Sequence, residues 1–420
     1  MKKVLVIVYY WPPSGGAGVQ RWLKFVKYLP QFDWQPTVIT TSNGDYPAID
    51  ESLLKEVPED IKVIRTKTPT FGKWFSKAGE QSAPYGSLET SEEDSFFRRF
   101  AIWCRLNLTV PDARVVWNKY ALQAAFEEMR KFKYDLIITS GPPHSTHLIG
   151  RKLKNIFNVK WLVDFRDPWT KIDYLEKVNR FALTKKIDEK LERKIINQCD
   201  RIISINKSIL KGLKAINKGI IIPNGFDPAD FTEIEKKKTK KFQINYFGNI
   251  TAERDPSIVL KAVNQIYSQF PDIQINIWGN VSDEVKADLI SLDENKFVKF
   301  HNYIPHDEMM QRMVNSSLLL LLINNVPNNL GILTGKIYEY LGAKVPILGV
   351  GPIEGEAAKI LNETRSGKMC DYSDQKAISE FISWQYSIWK KDEKPTASGE
   401  IDQYDRVHLT KNLAEVLESL

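Results

Sequence analysis

The sequence predicts an α/β protein with two domains, each built on a parallel, Rossmann-like β-sheet. Its 420 residues exceed what one hydrophobic core ordinarily serves. Apolar runs of strand length alternate with amphipathic segments of helix length in two separate series, which begin at Val4 and Phe242. A charged run without apolar periodicity, TEIEKKKTKK, lies between the two series and indicates a linker. We therefore predict an N-terminal domain at 1–222, a linker at 223–241 and a C-terminal domain at 242–402.

The segment 403–420 is predicted to form a further helix, because Leu409, Leu413, Val416 and Leu417 recur at helical spacing. A polar stretch, KKDEKPTASGE, separates this helix from the second domain. We expect the helix to cross back and pack on the N-terminal domain.

The composition is that of a soluble globular protein, with 43% hydrophobic and 26% charged residues. The formal net charge of +7 suits an anionic small substrate or an anionic membrane surface, and it is too small to indicate a nucleic-acid-binding protein. The three cysteines, Cys104, Cys199 and Cys370, form no CxxC pair. This spacing argues against a zinc site or a disulfide framework and favours a reducing compartment.

Two apolar runs have strand length rather than the length of a targeting or membrane-spanning segment. VLVIV after the first residues is too short for a signal peptide and has no small-residue cleavage site. LLLLLI at 318–323 cannot cross a bilayer. We expect a cytoplasmic location, either free or at the inner face of the membrane. No DxD motif precedes a plausible metal site, so we expect no essential metal ion and no cofactor.

The stretch Asn328 to Gly351 predicts a polar loop, a short helix and a buried strand. Thr334 is the predicted N-cap, and the backbone amides of Leu333 to Lys336 would be unpaired donors suited to a pyrophosphate. Glu339 follows about one turn later, where a carboxylate can accept hydrogen bonds from a pair of sugar hydroxyls. A capped surface helix with a solvated Glu339 explains the same spacing equally well.

Glycine-rich turns follow the first strand of each predicted sheet. After Val4 to Tyr9 the chain reads YWPPSGGAG, in which Gly15 and Gly16 allow an anion to approach the start of a helix closely. Gly248 and Arg254 repeat this arrangement in the second domain. Tight packing explains such a turn about as often as ligand binding does. The GxGxxG fingerprint is absent, which argues against a dinucleotide site.

Polar groups also follow the next two strands of the first domain. Ser140 and His144 follow YDLIITS, and Arg166 and Asp167 follow KWLVDF. Because parallel strands end at one edge of a sheet, we expect these side chains to share a ligand-facing rim. His144 at a helix start suits a sugar hydroxyl or a phosphate, and it suits a helix cap equally well.

The segment 69–105 interrupts the alternation of strands and helices with bulky aromatic and basic residues. Its end, FFRRFAIWCRL, has the pattern of an amphipathic helix that rests on a membrane face or contacts a lipid-linked substrate through Phe96, Phe97 and Trp103. A helix that packs on its own domain and exposes its arginines has the same pattern.

Taken together, several phrases of the sequence form an ordered set: PPSGGAG, SGPPHSTH, VDFRDPW, IPNGFDPADF, YFGN, NYIPHDE and GKIYEYLGAKVPIL. This set resembles the motifs of retaining family 4-type glycosyltransferases of the GT-B fold, in particular the bacterial polysaccharide-biosynthesis branch with a Lys-x-x-Glu-Tyr-Leu run. The resemblance covers nearly the whole chain and is weakest at about 66–112. It implies two Rossmann-like domains that face each other across a cleft.

The resemblance also implies a nucleotide-diphosphate-sugar donor, held mainly by the C-terminal domain, with acceptor groups on the N-terminal domain. Glu339 matches the family glutamate that accepts from the ribose hydroxyls, and Arg254 lies near the basic position that neutralises the pyrophosphate. The implied catalytic residues are Arg254, Asp167 and His144. The implied donor-binding residues are Gly15, Gly16, Gly248, Asn249, Leu333, Thr334, Lys336 and Glu339.

Three positions depart from the family pattern. Many relatives carry a first glutamate, which contacts the donor sugar, where this chain has Gly331. The family histidine after the mid-domain strand is replaced, so Arg166 or Asp167 occupies that place. A second cation for the pyrophosphate is absent from its usual position, and Lys336 is the stand-in.

The implied function is metal-independent hexosyl transfer, with retention, to a hydroxyl of a saccharide or lipid-linked saccharide in envelope polysaccharide synthesis. Two alternatives stay open. A GT-B-like sugar-nucleotide epimerase would need carboxylates and histidines that converge on the sugar, and such residues are scarce here. A non-catalytic GT-B partner subunit would agree with Gly331. The sequence specifies neither the sugar and base of the donor, nor the acceptor, nor the oligomeric state.

Overall fold

The computed structural model describes residues 1–46, 48–69, 96–172, 175, 178, 180–302, 304–327, 329–391 and 400–420. Within these residues the chain divides into two compact units. The first unit comprises Met1–Pro223 with Leu409–Leu420, and the second comprises Asn224–His408. The part of the aromatic segment at 70–95 lies outside the described residues.

The first unit contains a seven-stranded sheet in the order β3-β2-β1-β4-β5-β6-β7, and every pairing in it is parallel. The strands are β1 (Lys2–Ile7), β2 (Trp34–Thr41), β3 (Lys62–Thr66), β4 (Leu136–Gly141), β5 (Lys160–Phe165), β6 (Arg201–Ser204) and β7 (Gly219–Ile221). The helices of this part are α1 (Ala17–Tyr28), α2 (Phe96–Leu108), α3 (Asn118–Lys131), α4 (Thr146–Phe157), α5 (Ala182–Gln198) and α6 (Lys207–Gly212).

The second unit contains a six-stranded sheet in the order β10-β9-β8-β11-β12-β13, again parallel at every pairing. Its strands are β8 (Phe242–Phe247), β9 (Ile273–Trp278), β10 (Val298–His301), β11 (Leu318–Leu322), β12 (Ile347–Val350) and β13 (Gly367–Cys370). Its helices are α7 (Ser257–Ile266), α8 (Asp283–Leu292), α9 (His306–Val314), α10 (Lys336–Ala343), α11 (Glu356–Glu363) and α12 (Gln375–Lys391). The last helix of the chain is α13 (Arg406–Glu418).

Burial on both faces explains the apolar runs in the sequence. All five residues of β11, LLLLL, are buried, and so are the last four of β1. Parallel strands covered by helices on both faces are typically apolar along their whole length. The edge strand β3 is partly exposed, and it carries Lys62 and Arg65 among its five residues.

The last helix completes an apolar cluster of the first unit. Leu409, Leu413 and Leu417 are almost fully buried in the same cluster as Val4 and Trp34. The segment 224–241 belongs to the second unit, where the buried Phe226 pairs through its backbone with Tyr404 and Arg406. None of the helices in the described part of the chain is both long and apolar enough to span a bilayer.

The buried carboxylate of Asp164, on β5, ties α1 to the first sheet. It accepts hydrogen bonds from Trp22 Nε1 and Ser140 Oγ, both at 2.7 Å, and from Arg21 Nη2 at 3.1 Å. Arg21 is fully buried, and its Nη1 donates to the carbonyl oxygen of Pro223. The prediction that Ser140 lies on a ligand-facing rim is wrong, because its hydroxyl is buried and donates to this carboxylate.

We expect Asp164→Ala to destabilise the first unit by ~3–5 kcal/mol, because it leaves the Arg21 guanidinium buried without its charge partner. Urea unfolding followed by tryptophan fluorescence measures the change. Glu418→Ala is the control, since the Lys2–Glu418 pair of the same unit is half exposed and should contribute little. Equal, small losses in both variants would contradict the central role of Asp164.

Candidate functional site

The carboxyl edge of the second sheet has a crevice at the point where the strand order reverses. β8 is paired with β9 on one side and β11 on the other, so the loops after β8 and β11 flank this point. Open α/β sheets bind ligands at such switch points. A cavity of about 440 Å³ opens there, lined by Arg254 after β8, Asn325 after β11 and Tyr372 after β13. Its volume is within the range of small-molecule sites.

Gly248 and Lys336, which are far apart in the sequence, meet at this edge. Gly248 has φ = 148°, a backbone conformation that glycine adopts most readily. A Cβ atom placed on Gly248 would lie 2.8 Å from Lys336 Cε, so the lysine side chain crosses directly over the glycine. The absence of a side chain at Gly248 therefore lets a cation lie against the main chain.

The guanidinium of Arg254 is held beside this turn by uncharged partners. Its Nε donates to Asn324 Oδ1, and the Tyr246 hydroxyl lies close to the guanidinium. Burial raises the pKa of Tyr246, so the hydroxyl keeps its proton, which it donates to the carbonyl of Asn249 at 3.0 Å. Within the described ranges no carboxylate forms an ion pair with Arg254 or Lys336. Their positive charges are therefore available to an anion.

The N-terminus of α10 presents backbone donors, as the spacing predicts. Helix α10 begins at Lys336 with Gly335 as its N-cap and no capping side chain, so the prediction of Thr334 as the cap is wrong. Thr334 Oγ1 is buried and has no hydrogen-bond partner in the described part of the chain. The amides of Leu333 to Lys336 likewise have no acceptor among the described residues. Four adjacent donors at a helix start form a favourable environment for a phosphate.

Glu339 lies in the first turn of α10 and is half-buried. Its Oε2 atom is buried and accepts no hydrogen bond from any described residue. An ionised oxygen removed from water without a donor is unfavourable. A ligand with hydroxyl donors would satisfy it, which argues against the solvated surface helix left open above.

In the first unit, Arg166 braces the loops of the carboxyl edge. This residue is 9% exposed, and its guanidinium donates to the carbonyls of Gly18, Pro142 and Gly141. Three of its five N–H donors bond to the main chain and the side chain is buried, so Arg166 holds these loops together rather than facing a ligand as predicted for the rim. Gly16 has φ = 97° and nothing within 4 Å of a Cβ placed on it, whereas Gly15 packs against Asp50.

His144 and Asp167 lie near Arg166, and burial shifts the pKa values of the two side chains in opposite directions. His144 is 7% exposed, its ring stacks on Trp169, and its Nε2 contacts the carbonyl of Pro168 at 3.2 Å. Burial lowers the pKa of His144 to about 3, so the imidazole is neutral near pH 7. It precedes the N-cap Ser145 and caps no helix. Asp167 is half-buried and accepts no hydrogen bond from the described residues, and burial raises its pKa.

The structure thus gathers the predicted residues into two groups, one in each unit. Gly248, Asn249, Arg254 and the first turn of α10 form one group at the carboxyl edge of the second sheet. Sequence reasoning missed three side chains of that edge, namely Tyr246, Asn324 and Tyr372. A signal for Asn324 exists, since it is a polar residue directly after the apolar β11.

Comparisons with known proteins agree with this geometry. Residues 228–401, which lie in the second unit, match the family model of glycosyl transferases group 1. A search of curated proteins finds no significant sequence match.

Similar solved structures cover essentially the whole chain. The Anabaena protein HepE in complex with UDP and glucose is 15% identical, with a TM-score of 0.62 and 100% of both chains covered. Sucrose-phosphate synthase from Thermosynechococcus elongatus is 13% identical, with a TM-score of 0.64 and 100% of this chain and 99% of that chain covered. A putative UDP-N-acetylglucosamine 2-epimerase from Listeria monocytogenes is 12% identical, with a TM-score of 0.57 and coverages of 100% and 96%. The predicted GT-B fold of two Rossmann-like domains is confirmed.

Because His144 is buried in its neutral form, we expect acidification to destabilise the first unit. The unfolded pKa of histidine is about 6.5, and the folded pKa of His144 is about 3. Between these values the unfolded chain binds more protons, so stability falls as the pH falls, by ~2 kcal/mol for one such group at about pH 5.

His144→Gln removes this contribution and should lessen the loss of unfolding free energy between about pH 7.5 and about pH 5. Urea unfolding at the two pH values measures it. His408→Gln, at an exposed histidine, is the control and should leave the pH dependence unchanged. Identical pH dependence in His144→Gln and the wild type would show that His144 titrates normally.

Proposed function

We propose that the chain transfers a hexosyl group from a nucleotide-diphosphate-sugar to a hydroxyl of a saccharide or lipid-linked saccharide, with retention of anomeric configuration. This proposal rests on the groups at the carboxyl edge of the second sheet. The part of the chain that matches a glycosyltransferase family contains unpaired amides, two cations without carboxylate partners and a carboxylate without a donor.

Each group of this edge suits one part of the donor. The diphosphate would bind at the amides of 333–336 and at the positive charges of Lys336 and Arg254. Glu339 Oε2 would accept from the ribose hydroxyls, which supply the donors that it lacks. The similar Anabaena structure contains UDP and glucose, which makes a uridine nucleotide the first candidate to test.

The chemistry follows from the charge that develops on the leaving group. As the bond from the anomeric carbon to the diphosphate breaks, the negative charge on the diphosphate grows, and the fixed donors around it bind more strongly. Removal of one such donor typically costs ~10²–10³ in rate. Two protein cations supply the charge that a divalent ion supplies elsewhere, which supports a metal-independent reaction.

Retention requires the acceptor hydroxyl to approach on the face that the diphosphate leaves. A phosphate oxygen of the departing group can take the hydroxyl proton, so no protein nucleophile is needed. In the first unit, the half-buried Asp167 and the neutral His144 are the proposed acceptor contacts. His144 Nδ1 is buried without a partner among the described residues and can accept from a hydroxyl.

The preferred acceptor is a lipid-linked saccharide in envelope polysaccharide synthesis, because α2 and the start of α5 form an exposed aromatic surface. Phe100, Trp103 and Phe181 are 54%, 38% and 55% exposed, and their rings contact one another. The carbonyl and carboxamide of Asn107 bond to Thr184 and the amide of Phe181, which fixes α2 against α5. Arginines on α2 would complement anionic headgroups at the inner membrane face.

A donor panel tests the reaction directly. We expect saturable binding and transfer with one of the UDP-, GDP- or dTDP-sugars. Glu339→Ala should weaken donor binding because the ribose hydroxyls lose their acceptor, and Arg254→Ala should lower turnover by ~10²–10³ with a smaller effect on binding. Calorimetry of donor binding and product analysis of the released nucleoside diphosphate and the glycosylated acceptor measure these effects.

Glu380→Ala and Lys376→Ala, on the exposed face of α12, are the matched controls and should behave as wild type. Normal transfer by Glu339→Ala and Arg254→Ala would contradict the site. Isomerised free sugar nucleotide would indicate an epimerase instead, and no response to any donor would indicate a non-catalytic partner.

Liposome sedimentation tests the membrane surface. We expect the triple variant Phe100→Ser, Trp103→Ser and Phe181→Ser to lose binding to phosphatidylglycerol vesicles, because it removes the exposed rings that enter the interface. Trp384→Ser is the control, since Trp384 is 51% exposed on the second unit. Unchanged sedimentation of the triple variant would count against this surface.

A further inference from the structure

The loop between β11 and α10 departs from the glutamate pattern of similar enzymes and is rich in carboxamides. From Ile323 to Gly335 it reads INNVPNNLGILTG, without a single acidic residue. Gly331 occupies the position of the glutamate, in a short 3-10 turn. This loop can therefore contact the donor only through neutral side chains and backbone groups.

The Tyr372 hydroxyl pins this loop at two places. It lies 2.9 Å from the carbonyl oxygen of Asn324 and 3.2 Å from that of Ile323. It also accepts a hydrogen bond from Asn329 Nδ2 at 3.0 Å, and the same amide lies 3.3 Å from the Asn324 carbonyl. The main chain at Asn324 is therefore held from both the β13 side and its own loop.

The side chain of Asn324 continues this network to Arg254. Its Oδ1 accepts from Arg254 Nε, and the Tyr246 hydroxyl contacts the same guanidinium. Arginine has a long side chain that loses rotamer freedom when it is ordered. A partner that is itself held in place removes much of that freedom before any ligand binds, which is the preorganisation that electrostatic catalysis needs.

The neutrality of Asn324 matters as much as its position. A carboxylate at this place would orient the guanidinium equally well, but it would cancel the positive charge that a diphosphate requires. The carboxamide orients Arg254 and leaves its charge intact. Arg254 and Tyr372 also line the same cavity, so the network borders the space that a ligand would occupy.

We propose that Asn324 is a positioning residue that aims Arg254 at the leaving diphosphate, and that Tyr372 and Asn329 hold Asn324 in place. This inference rests on the proposed function and deepens it. It gives a role to the loop that lacks the glutamate: this loop preorganises Arg254, the cation that would face the leaving diphosphate.

A double-mutant cycle tests the proposal. We expect Asn324→Ala to lower kcat about tenfold, with the dissociation constant of the wild type's preferred nucleoside diphosphate changed by no more than about threefold. In an Arg254→Ala background, Asn324→Ala should cost no more than about a further twofold, since its effect passes through the missing guanidinium. Tyr372→Phe should lower kcat by a smaller factor, about threefold. In the Arg254→Ala background, Tyr372→Phe should likewise have little further effect on kcat.

Asn324→Asp separates orientation from charge. It retains the acceptor for Arg254 Nε but adds a negative charge, so we expect it to weaken binding of the nucleoside diphosphate by about tenfold. Asn264→Ala is the matched control, because its carboxamide donates to the Leu292 carbonyl away from this edge. This control should leave kcat and diphosphate binding unchanged.

The outcomes distinguish this inference from the function on which it rests. If the wild type transfers sugar and Arg254→Ala impairs transfer, but the losses from Asn324→Ala and Arg254→Ala multiply, Asn324 acts independently and the inference is wrong. Unchanged kcat in Asn324→Ala would overturn it as well. If the wild type binds none of UDP, GDP and dTDP, the proposed function fails and this inference fails with it.

Discussion

Parallel strand pairing is the constraint on which the arrangement of this protein depends. Each strand of the two described sheets hydrogen-bonds to neighbours that run in the same direction. A parallel pair requires a crossover connection, here usually a helix, so all strands of a sheet end at the same edge. Loops that are distant in the sequence are brought together there. Gly248 after β8 and Lys336 after β11 meet for this reason, although they are far apart in the sequence.

Two carboxylates show that the same chemical group can be satisfied by the folded chain in one unit and left without a donor in the other. Asp164 is buried and has donors from Arg21, Trp22 and Ser140, so its charge is satisfied inside the folded chain. Glu339 is half-buried, and its Oε2 is a buried oxygen for which the described chain provides no donor. The first arrangement stabilises the fold, whereas the second leaves hydrogen-bonding capacity for a ligand.

Two arginines differ in the same way, because their hydrogen-bond partners differ. Arg166 and Arg254 both follow strands at a carboxyl edge, and both look like ligand-binding groups in the sequence. Arg166 uses its donors on three main-chain carbonyls and so holds the glycine loop of the first unit. Arg254 is held by the neutral Asn324 and lies close to the neutral Tyr246, so no partner cancels its charge. The difference lies in the partners that the fold supplies, and it gives the two arginines different roles.

The sequence by itself determined the features that depend on local pattern and periodicity. The continuous apolar runs predicted buried parallel strands, the two series predicted two sheets, and the ordered motifs predicted the GT-B fold. The short helix with Glu339 in its first turn was predicted from the pattern of the stretch Asn328 to Gly351. The strands and helices are visible in the sequence because their patterns involve residues within one or two turns of one another, whereas the GT-B fold was predicted from motifs along the whole chain.

Only the tertiary structure decided which polar groups are satisfied. Ser140 and Arg166 carry no sequence signal that separates them from Asp167 or Arg254, because their partners lie on other elements of the fold. The link from Tyr372 through Asn324 to Arg254 joins loops after β13, β11 and β8. Its members are 48 and 70 residues apart, so no local pattern could indicate it. Hydrogen bonding depends on distance and direction in space, and the order of residues along the chain does not record either.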